Sequence, residues 1–144
     1  DPVQGLDLDI GKLVLSPTRT YAPIVQNIFE KVGRKKIHGM IHCSGGAQTK
    51  ILHFIDKLHV IKDNFLPVPP LFEIIQNESG TDGKEMYEVF NMGHRLEFYV
   101  DSSIAENIIS ISNKFNVAAQ IVGRVESSDT KKLTLDTPQG VFIY

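Results

Sequence analysis

The run Ile37-His38-Gly39-Met40-Ile41-His42-Cys43-Ser44-Gly45-Gly46-Ala47-Gln48 decides how the chain is read. Ile37 to Cys43 is a short strand, with His38, Met40 and His42 on one face of the pleat and Ile37, Gly39, Ile41 and Cys43 on the other. Ser44-Gly45-Gly46-Ala47 breaks it. A helix then runs from about Thr49 to Leu58 with Ile51, Leu52, Ile55 and Leu58 on one side, and His59 to Lys62 is a brief strand. The unit is strand, glycine turn, helix, strand.

Working outward, Ile24, Val25, Ile28, Phe29 and Val32 recur at helical spacing between Thr20 and Val32, with Pro23 in the first turn and Gly33 at the end. Residues 1–16 lack sustained periodicity and read as a lead-in strand or connector closed by Pro17. Downstream, Pro67, Pro69 and Pro70 fix an extended passage before a helical turn at Leu71, Phe72, Ile74 and Ile75. A short helix reaches Phe90, and Arg95 to Val100 alternates as a strand. Ser102 or Ser103 caps a helix carrying Ile104, Ala105, Ile108, Ile109 and Phe115, and Ala118 to Val125 returns as a strand. Residues 126–144 read as a terminal extension forming a hairpin around Thr137-Pro138-Gln139-Gly140. Strands alternating with helices predict an α/β (α+β) fold, a layered mixed β-sheet flanked by helices on both faces.

The 144 residues suffice for a single domain, and 15 Lys and Arg against 17 Asp and Glu give a formal charge of −2. The longest basic cluster is Arg34-Lys35-Lys36, which argues against a nucleic-acid or membrane footprint. No apolar run approaches the roughly twenty residues of a bilayer span. The amino end lacks the pattern of a signal peptide, and Cys43 is the single cysteine. A cytoplasmic protein is expected. The missing initiator Met suggests a fragment or processed product.

Two turns can carry chemistry. Glycines between a strand end and a helix start let the backbone amides of Gly45, Gly46, Ala47 and Gln48 converge on an anion, with the helix dipole adding to the attraction. His42 and Ser44 flank the turn, and the imidazole can donate to a phosphate or exchange a proton near neutral pH. The same glycines also suit a tight connection with no ligand, and the same histidine suits a core position bonded to backbone. The spacing is neither a phosphate-loop nor a dinucleotide fingerprint. His38 shares the face of His42, but no nearby Cys, Asp or Glu completes a metal set, so no metal is expected here. His53 and His59 read as surface or packing residues. The second turn, Asn91-Met92-Gly93-His94-Arg95, aims an amide, an imidazole and a guanidinium near one spot, or else simply precedes an edge strand. Arg19, ahead of the first helix, is a bidentate anion binder by type, although an exposed arginine commonly binds nothing.

In their order and separations these segments resemble aminoimidazole ribonucleotide synthetase, the phosphoribosylformylglycinamidine cyclo-ligase of purine biosynthesis. Leu15-Ser16-Pro17-Thr18-Arg19-Thr20-Tyr21 is similar to the family's Leu-x-Pro-Thr-Arg-Ile-Tyr, and His38 to Gly46 is similar to His-Gly-x-x-His-x-Thr-Gly-Gly-Gly. Pro67-Val68-Pro69-Pro70-Leu71-Phe72 resembles Pro-Val-Pro-Pro-Ile-Phe, and Glu85 to Gly93 resembles Glu-Met-Tyr-x-x-Phe-Asn-Met-Gly. Ile121 to Val125 resembles the closing Ile-Gly-x-Val strand, so the likeness runs from about Leu6 to Val125. The resemblance implies the carboxy-terminal half of a two-domain, ATP-dependent enzyme that is homodimeric at full length. An amino-terminal domain, absent from this sequence, would hold most of the ATP and Mg2+. It also implies a ribonucleotide substrate, with His42 as the catalytic candidate and Arg19, Ser44, Gly45, Gly46, Ala47, Gln48, Asn91 and Gly93 as substrate- or phosphate-binding candidates.

The sequence departs from the family pattern at Ala47, Gln48, His94 and Arg95. A second reading is a noncatalytic phosphate-ligand-binding or regulatory relative. A third keeps the superfamily and changes the substrate, as in relatives that make selenophosphate, phosphorylate thiamine phosphate or mature hydrogenase; the Pro-Thr-Arg-x-Tyr and Phe-Asn-Met-Gly segments favour the purine enzyme.

Overall fold

The computed structural model describes residues 9–17 and 19–144. Helix α1 (Ile10–Val14) opens them, capped by the Asp9 carboxylate accepting from the Lys12 amide. The expected connector is therefore partly helical, and its first eight residues lie outside the described ones. Helix α2 (Ala22–Ile28) begins with Pro23 in its first turn, continues as a π-helical turn (Phe29–Gly33) and a 3-10 turn (Arg34–Lys36), and feeds strand β1 (Ile37–His42).

Strand β1 pairs antiparallel with β3 (Leu96–Val100). The register shifts between Ile37 and Gly39, so Ile37 faces Val100 and leaves the side occupied by Ile41 and Cys43. A bulge inserts a residue and inverts the alternation, which the simple pleat did not foresee. Strands β2 (Leu58–Lys62), β4 (Gly123–Ser127), β5 (Lys132–Thr137) and β6 (Gly140–Ile143) form a second sheet in the order β4-β2-β5-β6. Its β2–β5 pairing is parallel and the others antiparallel, so the mixed sheet is real but separate from the β1–β3 ribbon.

Helices α3 (Pro70–Ser79), α4 (Gly83–Val89) and α5 (Ser102–Lys114) complete the fold. One core gathers Ile41 from β1 and Cys43 just past its end, Val60 from β2, Met86 and Tyr87 from α4, and Leu133 and Leu135 from β5. A second gathers Ile24 and Ile28 of α2, Val32, and Ile108 and Ile111 of α5 beneath Ile37, Phe98 and Val100. Each such side chain contributes roughly 1.5–3 kcal/mol by leaving water. The ribbon thus lies between the two cores, and its last residue, His42, reaches the glycine turn.

Several expectations change. The helix after the turn is a 3-10 helix (Ala47–His53), and Leu58 starts β2 instead of ending that helix. The α5 cap position is Asp101, and β4 begins at Gly123, five residues later than expected. The hairpin at the end forms, but it belongs to the main sheet: Leu133 and Leu135 are fully buried, and the Tyr144 hydroxyl donates to the Lys84 carbonyl at 2.7 Å.

Candidate functional site

At the end of β1 the backbone enters three successive left-handed residues, Gly45, Gly46 and Ala47, with φ of 53, 78 and 38°. That conformation costs glycine little and costs an L-residue roughly 1–2 kcal/mol, so Ala47 is strained where the family pattern has glycine. Its methyl is buried, and two bonds brace the turn: Lys50 Nζ donates to the Ser44 carbonyl at 2.7 Å and Thr49 Oγ1 to the Gly46 carbonyl at 2.8 Å. Around Gly45 there is open space.

His42 is exposed, which removes the core-histidine reading, and its Nδ1 lies 3.1 Å from Ser44 Oγ. With the hydroxyl donating to Nδ1, the ring proton sits on Nε2, the nitrogen left to meet a ligand. The Tyr21 ring meets the imidazole edge-on at 6.5 Å, bringing the segment before α2 beside the turn. Arg19, two residues earlier, donates from Nη1 to the Asn116 carbonyl at 3.2 Å beyond α5.

The site differs from the sequence expectation in two respects. The helix following the turn is a short 3-10 piece, so the attraction for an anion rests on the turn's own amides more than on a long helix dipole. Gln48 is fully buried with its side chain turned inward: Nε2 donates to the Asn91 carbonyl at 2.8 Å and Oε1 accepts from Lys62 Nζ at 2.8 Å. Only its backbone amide remains on the turn.

Asn91 and Gly93 lie in a neighbouring turn, joined to the first through the bond from Gln48 Nε2 to the Asn91 carbonyl. Asn91 Oδ1 accepts from the Gly93 amide at 2.9 Å, and the Asn91 carbonyl also accepts from the His94 amide at 2.9 Å. A Cβ on Gly93, at φ 99°, would meet Pro69 Cδ at 3.1 Å and the Pro67 carbonyl at 3.2 Å. His94 is buried, its Nε2 accepting from the Leu66 amide at 2.8 Å, and burial lowers its pKa to about 4. This turn locks the proline passage in place.

Sequence reading missed a buried polar set beneath the turn. Lys62 Nζ lies 2.6 Å from Glu97 Oε1, and Glu97 Oε2 accepts from the Tyr99 hydroxyl at 2.8 Å. Burial and the Glu97 charge together push the Cys43 thiol up to about 12, so it is an inert neighbour. The signal was available: Lys62 falls on the inward phase of β2 with Val60, where a lone cation requires a partner. Among the described residues no group of three or more His, Cys, Asp or Glu could hold a metal, and no helix there is long and apolar enough to cross a membrane.

An open glycine turn between strand and helix, on an α+β scaffold, defines the class of fold. The family model for the AIR synthase related protein, C-terminal domain, matches residues 6–136, and the chain belongs to that family. It is 38% identical over 127 residues to a phosphoribosylformylglycinamidine cyclo-ligase of Methanocaldococcus jannaschii, covering 84% of this chain and 35% of the relative. The corresponding protein of Syntrophus aciditrophicus is 31% identical over 141 residues, covering 92% and 38%. The chain thus spans little more than a third of these relatives. Among solved structures, a HypE-HypF complex aligns with TM-score 0.63 at 18% identity over 93% of this chain and 46% of that one. The Escherichia coli hydrogenase maturation protein HypE aligns with TM-score 0.58 at 17% identity over 83% and 36%. These two likenesses concern the fold.

Proposed function

We propose that the chain is the carboxy-terminal domain of an ATP-dependent cyclo-ligase that converts formylglycinamidine ribonucleotide to aminoimidazole ribonucleotide, ADP and phosphate. The observation that carries this reading is the open turn Ser44 to Ala47 beside exposed His42, in a chain whose curated relatives bear the cyclo-ligase name. The substrate's amide oxygen is a poor leaving group until ATP phosphorylates it. An internal nitrogen then attacks the activated carbon, the ring closes and phosphate departs. Two anionic centres must be held in line, which backbone amides and cations accomplish without a covalent nucleophile. The amides of Gly45 to Gln48 take one phosphate, Ser44 adds a hydroxyl, and His42 donates to it or moves a proton. Arg19 stands at the edge, with donors left beyond its bond to Asn116.

The described residues assemble no carboxylate set for Mg2+. The metal and most of the ATP contacts belong, in this reading, to an amino-terminal domain outside this sequence. That domain and a second protomer are the proposed partners. Assayed alone with ATP and formylglycinamidine ribonucleotide, the chain should release neither ADP nor aminoimidazole ribonucleotide. Joined to the domain that precedes it in the complete protein, it should turn over, and His42→Ala should lower kcat by about 10²-fold or more. Turnover by the chain alone contradicts this division of labour, and an undiminished His42→Ala contradicts the catalytic assignment.

A further inference from the structure

The proposed chemistry does not use the buried charges beneath the turn. Lys62 is 2% exposed and its three ammonium hydrogens have three acceptors: Glu97 Oε1 at 2.6 Å, Gln48 Oε1 at 2.8 Å and the Gln48 carbonyl at 3.3 Å. Glu97 is held in turn by Tyr99, and Gln48 by the Asn91 carbonyl. Strands β2 and β3 and the start of the 3-10 helix meet at one ammonium group, and Gln48 ties the Asn91 loop to them. As a source of stability this is a poor arrangement, because apolar residues of the same volume would serve as well or better. As a source of direction it is strong. A peptide unit is planar, so holding the Gln48 carbonyl fixes the 48–49 peptide, and the grip on the side chain fixes the Gln48 Cα between that peptide and the 47–48 peptide, whose amide closes the turn. Lys50 holds the Ser44 carbonyl from the opposite end of the turn.

We propose that Lys62 is a positioning residue for the glycine turn: neutralised by Glu97, it holds Gln48 from beneath and sets the direction in which the amides of Gly45 to Gln48 face. The inference rests on the reading of that turn as the phosphate site. It also bears on one departure from the family pattern, since Gln48 is the residue that Lys62 holds.

Lys62→Met with Glu97→Leu keeps the volume and leaves no unpaired charge, so this double variant should fold; Gln48→Met, which removes only the side-chain grip, serves as the second variant. Amide hydrogen exchange is followed in the ligand-free 144-residue chain, and inorganic phosphate is then titrated in. Exchange at Ala47 and Gln48, the buried end of the turn, should quicken by about tenfold or more in the double variant while α5 and β5 stay protected. Phosphate affinity should fall by about tenfold, the size typical when a group that orients a ligand's partner is removed, and Gln48→Met should give a smaller change of the same kind. Unchanged exchange at the turn in either folded variant overturns the positioning role. If the unaltered chain binds no phosphate, the site reading falls by itself, and the exchange data still decide whether Lys62 positions the turn.

Discussion

Two glycine-bearing turns look alike in the sequence and differ in the fold. Ser44 to Ala47 follows β1 and Asn91 to His94 precedes β3, and each couples glycine with polar neighbours. At the first, Gly45 faces open space and the side chains of His42 and Ser44 are exposed. At the second, Gly93 is wedged against Pro67 and Pro69, the Asn91 side chain is bonded within the turn, and the imidazole of His94 is spent on Leu66. A turn wedged against its neighbours contributes shape; one whose glycines are exposed can contribute binding.

Matched substitutions should separate the two most strongly. Gly93→Val combines a left-handed torsion with a clash against the proline passage and should destabilise the chain by about 4 kcal/mol. Gly46→Val meets only ordinary contact, with Lys50 Cα 3.7 Å from the new Cβ, so the torsion alone should cost about 1–2 kcal/mol while phosphate binding is lost. Urea melts of both variants measure the first contrast; equal losses would mean that the two turns are equally enclosed.

The next effect is set by pH. Burial lowers the His94 pKa from 6.5 to about 4, so between these values the unfolded chain binds a proton that the folded chain refuses. Stability from this group is complete above pH 6.5 and is lost as the pH falls toward about 4, by on the order of 3 kcal/mol in all. Gln can still accept from the Leu66 amide without titrating, so denaturant melts between pH 7.5 and 4.5 should show a shallower decline for His94→Gln. An unaltered slope would place His94 in contact with water.

Much of this was legible because it is local. The apolar spacing of Ile24, Ile28 and Val32, the alternation in β1 and the proline passage each followed from periodicity or backbone chemistry acting within a few residues. What escaped depends on partners far along the chain. No local signal says that β5 lies parallel to β2, that a bulge turns Ile37 toward Val100, or that Gln48 reaches back to Lys62 and Asn91. The glycine turn could be found in the sequence, but the Asn91 turn could not be told apart from it, because both set glycine among polar neighbours and only tertiary contact distinguishes an open turn from a wedged one.

The central claim, that the first turn binds phosphate and the second does not, is tested most directly by titrating the isotope-labelled chain with formylglycinamidine ribonucleotide while following every backbone amide. Saturable shifts are expected at Ser44 to Gln48 with His42 moving alongside, and still amides at Asn91 to His94. Shifts at Asn91 to His94 with Ser44 to Gln48 unmoved would contradict it.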